Sequence, residues 1–540
     1  MLTILYASKK EIMLILQNIS YQHLNKDVLF RNINLSIQDN KKIALIGNNG
    51  VGKSTLLKII AGELQPSEGQ ISILGNTYYV PQIFGQYNHL TIAQALKIES
   101  KLAALNEILS GIVTEDNLTT LDDDWNIEDR CQEALRYWNL SHLDLQQKLE
   151  SLSGGQKTKV FLAGISIHQP NLILLDEPSN QLDANHRALL YQLIRDTSCT
   201  MILVSHDRSL LNQLDSIYEL SSSGLVYYNG NYDFYLEEKN LYLEALHGNV
   251  KHLEKEIRKS KVKARETIER QQKLDARGKA KQQKEGVSRI MMNTLRNNAE
   301  KSTAKLKDTH SEKNKGLSDE LQSLRMEIPD SDKIKFGLAD SALHPGKILF
   351  KTSHLNMRYT GQLLWNEGLS FSISSAERIA LKGKNGAGKS TLIQILLQKI
   401  QTYSGELYRA EHTSVYIDQD YSMIDHKCSI YDQVQQFNNT GLQEHEIKIR
   451  LNRFLFAKES WDKPCSSLSG GEKMRLCLCC LTTYNIAPDL VIMDEPTNNL
   501  DIQNIAILTA AIKEYRGTLL IVSHDDYFLS EINIEREINL

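Results

Sequence analysis

The sequence predicts an α/β fold: two tandem copies of one domain, joined by a long antiparallel α-helical hairpin. Three observations carry this. Five short elements occur twice in the same order: "GNNGVGKST" (47–55) returns as "GKNGAGKST" (383–391), "LSGGQ" (152–156) as "LSGGE" (468–472), and "LILLDEPSNQLD" (172–183) as "LVIMDEPTNNLD" (490–501), while "VPQ" is matched by "IDQ" and "VSHD" recurs. In each copy the glycine-rich loop follows an apolar strand ("KIALI", "RIALK") and precedes an apolar helix ("LLKII", "LIQIL"). Between the copies lies "ARGKAKQQKEG" (276–286), a basic stretch with almost nothing to bury.

Composition bounds the rest. A chain of 540 residues exceeds one ordinary domain, and 41% hydrophobic with 24% charged residues is the balance of a globular protein. No apolar run reaches the length of about 18 residues needed to cross a bilayer, and the opening lacks a secretory cleavage pattern. Met13 opens "MLILQNISY", which reads as a first strand, so residues 1–12 are expected to form an N-terminal extension. Seven cysteines, an odd number, favour reduced thiols and a cytoplasmic setting. Cys477, Cys479 and Cys480 lack the two-residue spacers of a zinc or iron–sulfur site and are read as buried apolar thiols.

The first copy is expected over 13–236 and the second over 346–540, with 237–330 as the hairpin and 331–345 as a connector. The offset between copies is 336 at the glycine-rich loop and 316 at "LSGG", so the first copy holds an extra segment, an arm at about 90–135.

Strand, glycine-rich loop and helix in this order form a phosphate-binding loop. Glycines let backbone N–H groups close on phosphate, and the helix N-terminus favours its charge. This assigns Gly47, Asn48, Asn49, Gly50, Gly52, Lys53, Ser54 and Thr55 to one nucleotide, and Gly383, Lys384, Asn385, Gly386, Gly388, Lys389, Ser390 and Thr391 to a second. Lys53 and Lys389 would reach the β- and γ-phosphates, and Ser54 and Ser390 would bind Mg²⁺. Asp176 and Asp494 end buried strands and suit the metal's water; Gln82 and Gln419 suit metal and water contact. Glu177 and Glu495 stand one residue further, placed to take a proton from water. His206 and His524 each follow their Glu by 29 residues and are read as sensors of the γ-phosphate. Tyr21 and Tyr359, each about 25 residues before its loop, are candidates for stacking on adenine.

"LSGGQ" and "LSGGE" mark a resemblance to the ATP-binding cassette (ABC) proteins that covers nearly all of the chain outside its middle. The resemblance implies two ABC-type P-loop nucleotide-binding domains in tandem, ATP and Mg²⁺ as cofactors, and ATP hydrolysis used for conformational switching. It also implies that each Ser-Gly-Gly closes over ATP held by the other domain. Ser153, Gly154 and Gly155 would complete the site of Lys389, and Ser469, Gly470 and Gly471 that of Lys53, within one chain acting as a monomer. "DEPSNQLD" departs from the family's common Thr and His at Ser179 and Gln181.

Residues 237 to 276 run without Pro, 294–328 read as helix up to Pro329, and the intervening stretch is expected to break at Gly278 and Gly286. Two helices of that length reach roughly 50–60 Å, with a tip at about 278–293. The segment 251–316 carries a net charge of +11 against −15 for the rest of the chain, which points this part alone toward a polyanion. Twin cassettes, no membrane segment, the exit "NGNYDFYLEEK" and a basic hairpin together resemble the ABC-F proteins. That resemblance implies a ribosome-associated ATPase whose hairpin enters the tRNA exit site, touching rRNA and P-site tRNA near the peptidyl-transferase centre, with no membrane or DNA partner. Arg277, Lys279, Lys281, Lys284, Arg289, Ile290, Met291 and Met292 are then the candidate RNA contacts. Ile290, Met291 and Met292 can equally pack between the helices. Within the ABC-F proteins some members are translation factors and others protect ribosomes from antibiotics, and a long hairpin with a bulky tip leans toward protection. A transporter's ATPase subunit and a DNA-repair or iron–sulfur ATPase are the alternatives of other classes. The sequence ends sixteen residues after His524, before any C-terminal RNA-binding extension of the kind some relatives carry.

Overall fold

The computed structural model describes residues 12–23, 27–221, 224–284, 289–328, 343–359, 362–384, 386–439, 441–484 and 487–540. The chain forms two compact units: Met1–Tyr235 together with Ile334–Leu540, and Leu236–Lys333 between them in sequence.

The first unit contains both repeats. In the first, six strands form a sheet in the order Thr77–Val80, Leu172–Asp176, Thr200–Val204, Lys42–Ile46, Ser216–Ser221, Gly224–Tyr228, parallel except for the last pair. All five residues of Leu172–Asp176 are buried, as are all five of Thr200–Val204. Continuous apolar strands of this kind are covered on both faces, which explains their lack of alternation. The second repeat builds an all-parallel sheet in the order Ser414–Ile417, Leu490–Asp494, Thr518–Val522, Arg378–Lys382, Arg536–Asn539. Each repeat adds a three-stranded antiparallel sheet, built on Ile12–Gln22 in one and Ile348–Asn356 in the other.

Register positions the chemistry. Asp176 pairs with Val204, and Asp494 with Val522, at the carboxyl ends of neighbouring strands. The glycine-rich loops leave the same edge, after Ile46 and Lys382. Open parallel sheets bind ligands at that edge.

The copies differ where the offset shifts. Thr91 caps the helix Ile92–Ala95, and Ser429 caps its counterpart Ile430–Gln436. The second repeat then passes to the helix Glu444–Arg453, whereas the first inserts two helices, Glu99–Leu109 and Glu115–Leu121, before Ile127–Tyr137. Leu105 and Leu121 are buried there, while Leu109, Ile112 and Val113 around the connecting turn are exposed.

The second unit is a helical hairpin. One helix spans Tyr232–Lys284, beginning in the last residues of the first unit, and the other spans Arg289–Glu327. The Tyr242 hydroxyl donates to Glu327 Oε2 at 3.1 Å and Arg325 to Glu254 at 2.6 Å, so the end of one helix meets the start of the other and the pair is antiparallel. The expected break at Gly278 does not occur: the first helix continues through it to Lys284. One glycine costs about 1 kcal/mol relative to alanine, too little to stop a helix flanked by Ala, Lys, Gln and Arg. The first helix therefore has 53 residues, about 80 Å at 1.5 Å per residue, more than the reach expected from sequence. Gly286 lies outside the described residues, as do the side chains of Lys279, Lys281, Lys284, Arg289, Ile290, Met291 and Met292; Arg277 is exposed.

Cys477, Cys479 and Cys480 are fully buried in the helix Gly470–Leu481, where burial pushes their thiols up, and none is in a disulfide. Among the described residues no helix is long and apolar enough to cross a membrane.

Candidate nucleotide sites

Each phosphate loop wraps its own lysine. Lys53 Nζ donates to the carbonyls of Gly47 at 2.6 Å and Asn48 at 3.1 Å, and Lys389 Nζ to those of Gly383 at 2.7 Å and Lys384 at 3.3 Å. Burial pulls both ammonium groups down. Gly52 and Gly388 cap the following helices with φ of 104° and 92°. A Cβ on Gly52 would stand 2.7 Å from the Leu29 side chain, and one on Gly388 2.6 Å from that of Leu364. Both the left-handed backbone and the close approach require glycine. Asn385 lies outside the described residues.

Opposite each loop stand the two acids. The Ser390 hydroxyl donates to Asp494 Oδ2 at 2.9 Å, and Ser54 bonds Asp176 likewise. Asp176 Oδ1 is buried without a partner. A hydroxyl, a carboxylate and an unsatisfied buried oxygen fit a hard divalent cation that takes its other ligands from phosphate and water. Among the described residues no cluster of three or more His, Cys, Asp or Glu forms a metal cage, and such a cation needs none.

Glu177 and Glu495 share an unusual backbone, with φ of 50° and 48°. Each donates its N–H to the next strand, Glu177 to Val204 O and Glu495 to Val522 O, both at 2.8 Å. A left-handed non-glycine residue costs on the order of 1–3 kcal/mol, and its recurrence at the same acid in both repeats marks a functional constraint. Burial pushes the Glu177 carboxyl up to about 8, against the pull of Lys53, and raises Glu495 as well. A buried carboxyl whose hold on a proton is strengthened suits a general base. His206 Nε2 stands 3.2 Å from Glu177 and His524 Nε2 3.4 Å from Glu495, without hydrogen-bond alignment. Burial lowers both imidazoles, His206 far down and His524 to about 4, so both are neutral.

Lys53, Ser54, Thr55, Gln82, Asp176, Glu177 and His206 line one cavity of about 440 Å³, with Asn49, Gly50 and Gly52 of the loop. Tyr21 does not line it: His23 and Leu29 do, and the Tyr21 ring stands edge-on to His23 at 5.5 Å. Tyr359 is exposed on a two-residue strand. In the second repeat, Gly383, Lys384 and His524 line a cavity of about 280 Å³ with Asp183 from the first repeat. Gln419 is exposed beyond its strand, outside that lining.

Ser153 and Ser469 cap the helices Gly154–His168 and Gly470–Leu481, each in a reciprocal capping box. The two glycines of each motif pack on their own repeat: a Cβ on Gly155 would meet the Gln181 carbonyl at 2.7 Å, and one on Gly471 the Asn504 side chain at 2.3 Å. Neither serine lines either cavity, and the second cavity's lining does not include Lys389, Ser390, Asp494 or Glu495. Among the contacts that cross between repeats are those of the segment after each Glu. Asn49 N–H donates to Asp501 Oδ2 at 3.0 Å, its side chain to Asn499 O at 3.4 Å, and Asn180 to Asn499 at 3.4 Å. The duplicated "NQLD" and "NNLD" signalled these positions, but no role was assigned to them from sequence.

Two tyrosines were also missed. Tyr79 OH donates to Asp176 Oδ2 at 3.2 Å and Tyr416 OH to Asp494 Oδ2 at 3.3 Å. Both precede the loop Gln by three residues, in "YVPQ" and "YIDQ", which was the available signal. Tyr79→Phe or Tyr416→Phe removes one bond that orients a cation-facing carboxylate. Turnover in steady-state ATP hydrolysis is expected to fall about three- to tenfold, from about 1 kcal/mol per bond. Unchanged turnover would reduce these tyrosines to packing.

Comparison with known proteins places the chain in a family. A family model described as "ABC transporter" matches residues 30–180 and again 366–498. The ATP-binding protein YdiF of Bacillus subtilis is 31% identical, over 96% of this chain and 79% of its own. The ATP-binding protein Uup of Haemophilus influenzae is 30% identical, over 93% and 75%. Among solved structures, the archaeal ribosome recycling factor aABCE1, in complex with the ribosomal stalk protein aP1, superposes with a TM-score of 0.60 at 18% identity, over 95% of this chain and 86% of that one, a likeness of fold. The chain belongs to the ATP-binding cassette family, in its ABC-F group of twin-cassette ATPases. It is an ATPase with two cassettes in tandem.

Proposed function

We propose that the chain is a cytoplasmic, ATP-gated ribosome-binding protein whose hairpin enters the tRNA exit site and reaches toward the peptidyl-transferase centre, protecting the ribosome from antibiotics bound there. The observation that carries the reading is charge segregation: +11 on 251–316 against −15 elsewhere. A polyanion draws such a segment, whereas the acidic cassettes are repelled from it. Precedent for twin cassettes on a ribosome comes from proteins of similar fold, one described as ribosome-bound archaeal Pelota and ABCE1.

ATP bound at each phosphate loop draws Lys53 or Lys389 from the loop carbonyls to its β- and γ-phosphates. Ser54, Asp176 and Gln82 in one site, and Ser390, Asp494 and Gln419 in the other, would hold Mg²⁺, which would offset phosphate charge when bound. Glu177 and Glu495 each take a proton from a water as its oxygen bonds the γ-phosphorus and the bond to the bridging oxygen breaks, leaving ADP and phosphate. His206 and His524 hold the γ-phosphate in place. Ser153–Gly155 and Ser469–Gly471 close on the partner cassette's ATP through their helix N-termini. ATP thus joins the cassettes and hydrolysis parts them.

The test uses Glu177→Gln with Glu495→Gln, sedimented with bacterial ribosomes. Retention with ATP but not ADP supports the reading; a variant that holds ATP yet stays unbound overturns it. Growth of a sensitive bacterium expressing the chain, under drugs of the peptidyl-transferase centre, separates protection from a translation-factor role: no change in inhibition leaves the latter.

A further inference from the structure

The two cassettes differ in the residue they carry at one position beside the cassette boundary. The repeats align without gaps from the Asp-Glu pair to the His, at a constant offset of 318, so Arg187 corresponds to Ile505. Ile505 is 1% exposed and packs in its own cassette's core. Arg187 does not. It lies in the first turn of the helix Ala184–Asp196, just beyond the Asp183 cap, and is half-buried.

We infer that Arg187 of the first cassette is a positioning residue for the second nucleotide site, supplying across the boundary a cation that the corresponding position of the second cassette, Ile505, does not supply. Its Nε is held by two carbonyls of its own loop, Ser179 O at 3.2 Å and Leu182 O at 3.1 Å. The guanidinium is a rigid plane, so fixing Nε aims the terminal nitrogens. Nη1 donates to the backbone carbonyl of His524 at 3.3 Å, on the other cassette. That carbonyl belongs to the residue whose ring stands 3.4 Å from Glu495 and 3.4 Å from Lys389 Nζ. Arg187 thus grips by its backbone the loop whose histidine ring stands beside Glu495 and Lys389. Because the grip spans two cassettes, it forms only when they meet. Hydrolysis in the second site becomes conditional on that meeting through a contact absent at Ile505. The segment carrying Arg187 also contains the departures Ser179 and Gln181. Gln181 packs over Gly154, where an added Cβ would meet its Oε1 at 2.3 Å, so the loop that presents Arg187 is braced by the helix Gly154–His168 of its own cassette.

This inference rests on Glu495 and His524 being the hydrolytic pair of the second site, and the experiment separates the two. Single-turnover cleavage of labelled ATP is measured in Glu177→Gln, where the second site works, and in Glu495→Gln, where the first does. Cleavage that persists undiminished in the double variant would remove Glu495 and Glu177 from the chemistry, whatever Arg187 does. Arg187→Ile, which copies the other cassette's residue, is then added to each background. Loss of one charge-assisted bond predicts a fall in maximal rate of about tenfold with Glu177→Gln, and at least about fivefold less with Glu495→Gln. The half-saturating concentration should move less than about twofold, because the contact acts on the histidine loop and not on bound nucleotide. Arg187→Lys, which keeps the charge but not the fork, should recover part of the rate. Equal losses in both backgrounds, no loss with Glu177→Gln, or a lysine variant as slow as the isoleucine one with a lowered melting temperature would each overturn the inference.

Discussion

Replacing Glu177 and Glu495 together by Gln is expected to lower ATP hydrolysis at least about 100-fold, the usual contribution of a positioned general base, while leaving ATP binding intact. The physical case is local. Each carboxyl is buried at the end of a strand on a left-handed backbone, and its oxygens have no protein partner. A buried polar atom left unsatisfied costs about 1–3 kcal/mol, so the fold tolerates this at a position that a substrate water completes. Glutamine keeps the shape and removes the base. It also removes an ionisable group from a site where burial disfavours charge, so the variant should fold at least as stably. Nucleotide binding by fluorescence and phosphate release by a colorimetric assay check both halves. Retained hydrolysis with intact binding would mean that another group takes the proton.

The second large effect concerns the hairpin. Changing Arg277, Lys279, Lys281 and Lys284 to Gln removes four charges near the end of a helix that runs to Lys284, and Gln is nearly as good a helix former as Lys or Arg. If each meets a phosphate, the slope of log affinity for ribosomes against log salt should fall by about 3, and affinity near 0.15 M salt should drop on the order of 100-fold. ATP hydrolysis without ribosomes should persist, since the sites lie in the other unit. An unchanged slope would show that these charges only solvate the hairpin.

Much of this was legible in the sequence because its signals are local and duplicated. A glycine loop between an apolar strand and an apolar helix has one physical use, and parallel strands buried on both faces leave unbroken runs such as "LILLD". The cavity that gathers Lys53, Asp176, Glu177 and His206 follows from strand order, which brings residues far apart in sequence to one sheet edge. What escaped was non-local or compensated. Asp501 capping the Asn49 amide and Arg187 gripping His524 depend on how two cassettes meet, which no periodicity encodes. Tyr21 yields its expected place to His23 and Leu29 because irregular pairing along Ile12–Gln22 resets which side chains face the loop. Gly278 was read as a breaker, yet strong helix formers on both sides outweigh its cost.

The most direct measurement is photo-crosslinking from the hairpin itself. A photoreactive residue at position 290, in the Glu177→Gln, Glu495→Gln protein mixed with ribosomes, is activated in ATP and in ADP, and the adducts are mapped by primer extension. The account predicts adducts to ribosomal RNA or bound tRNA in ATP and loss of them in ADP. Absence of RNA adducts in ATP, or equal yields in both nucleotides, would contradict it.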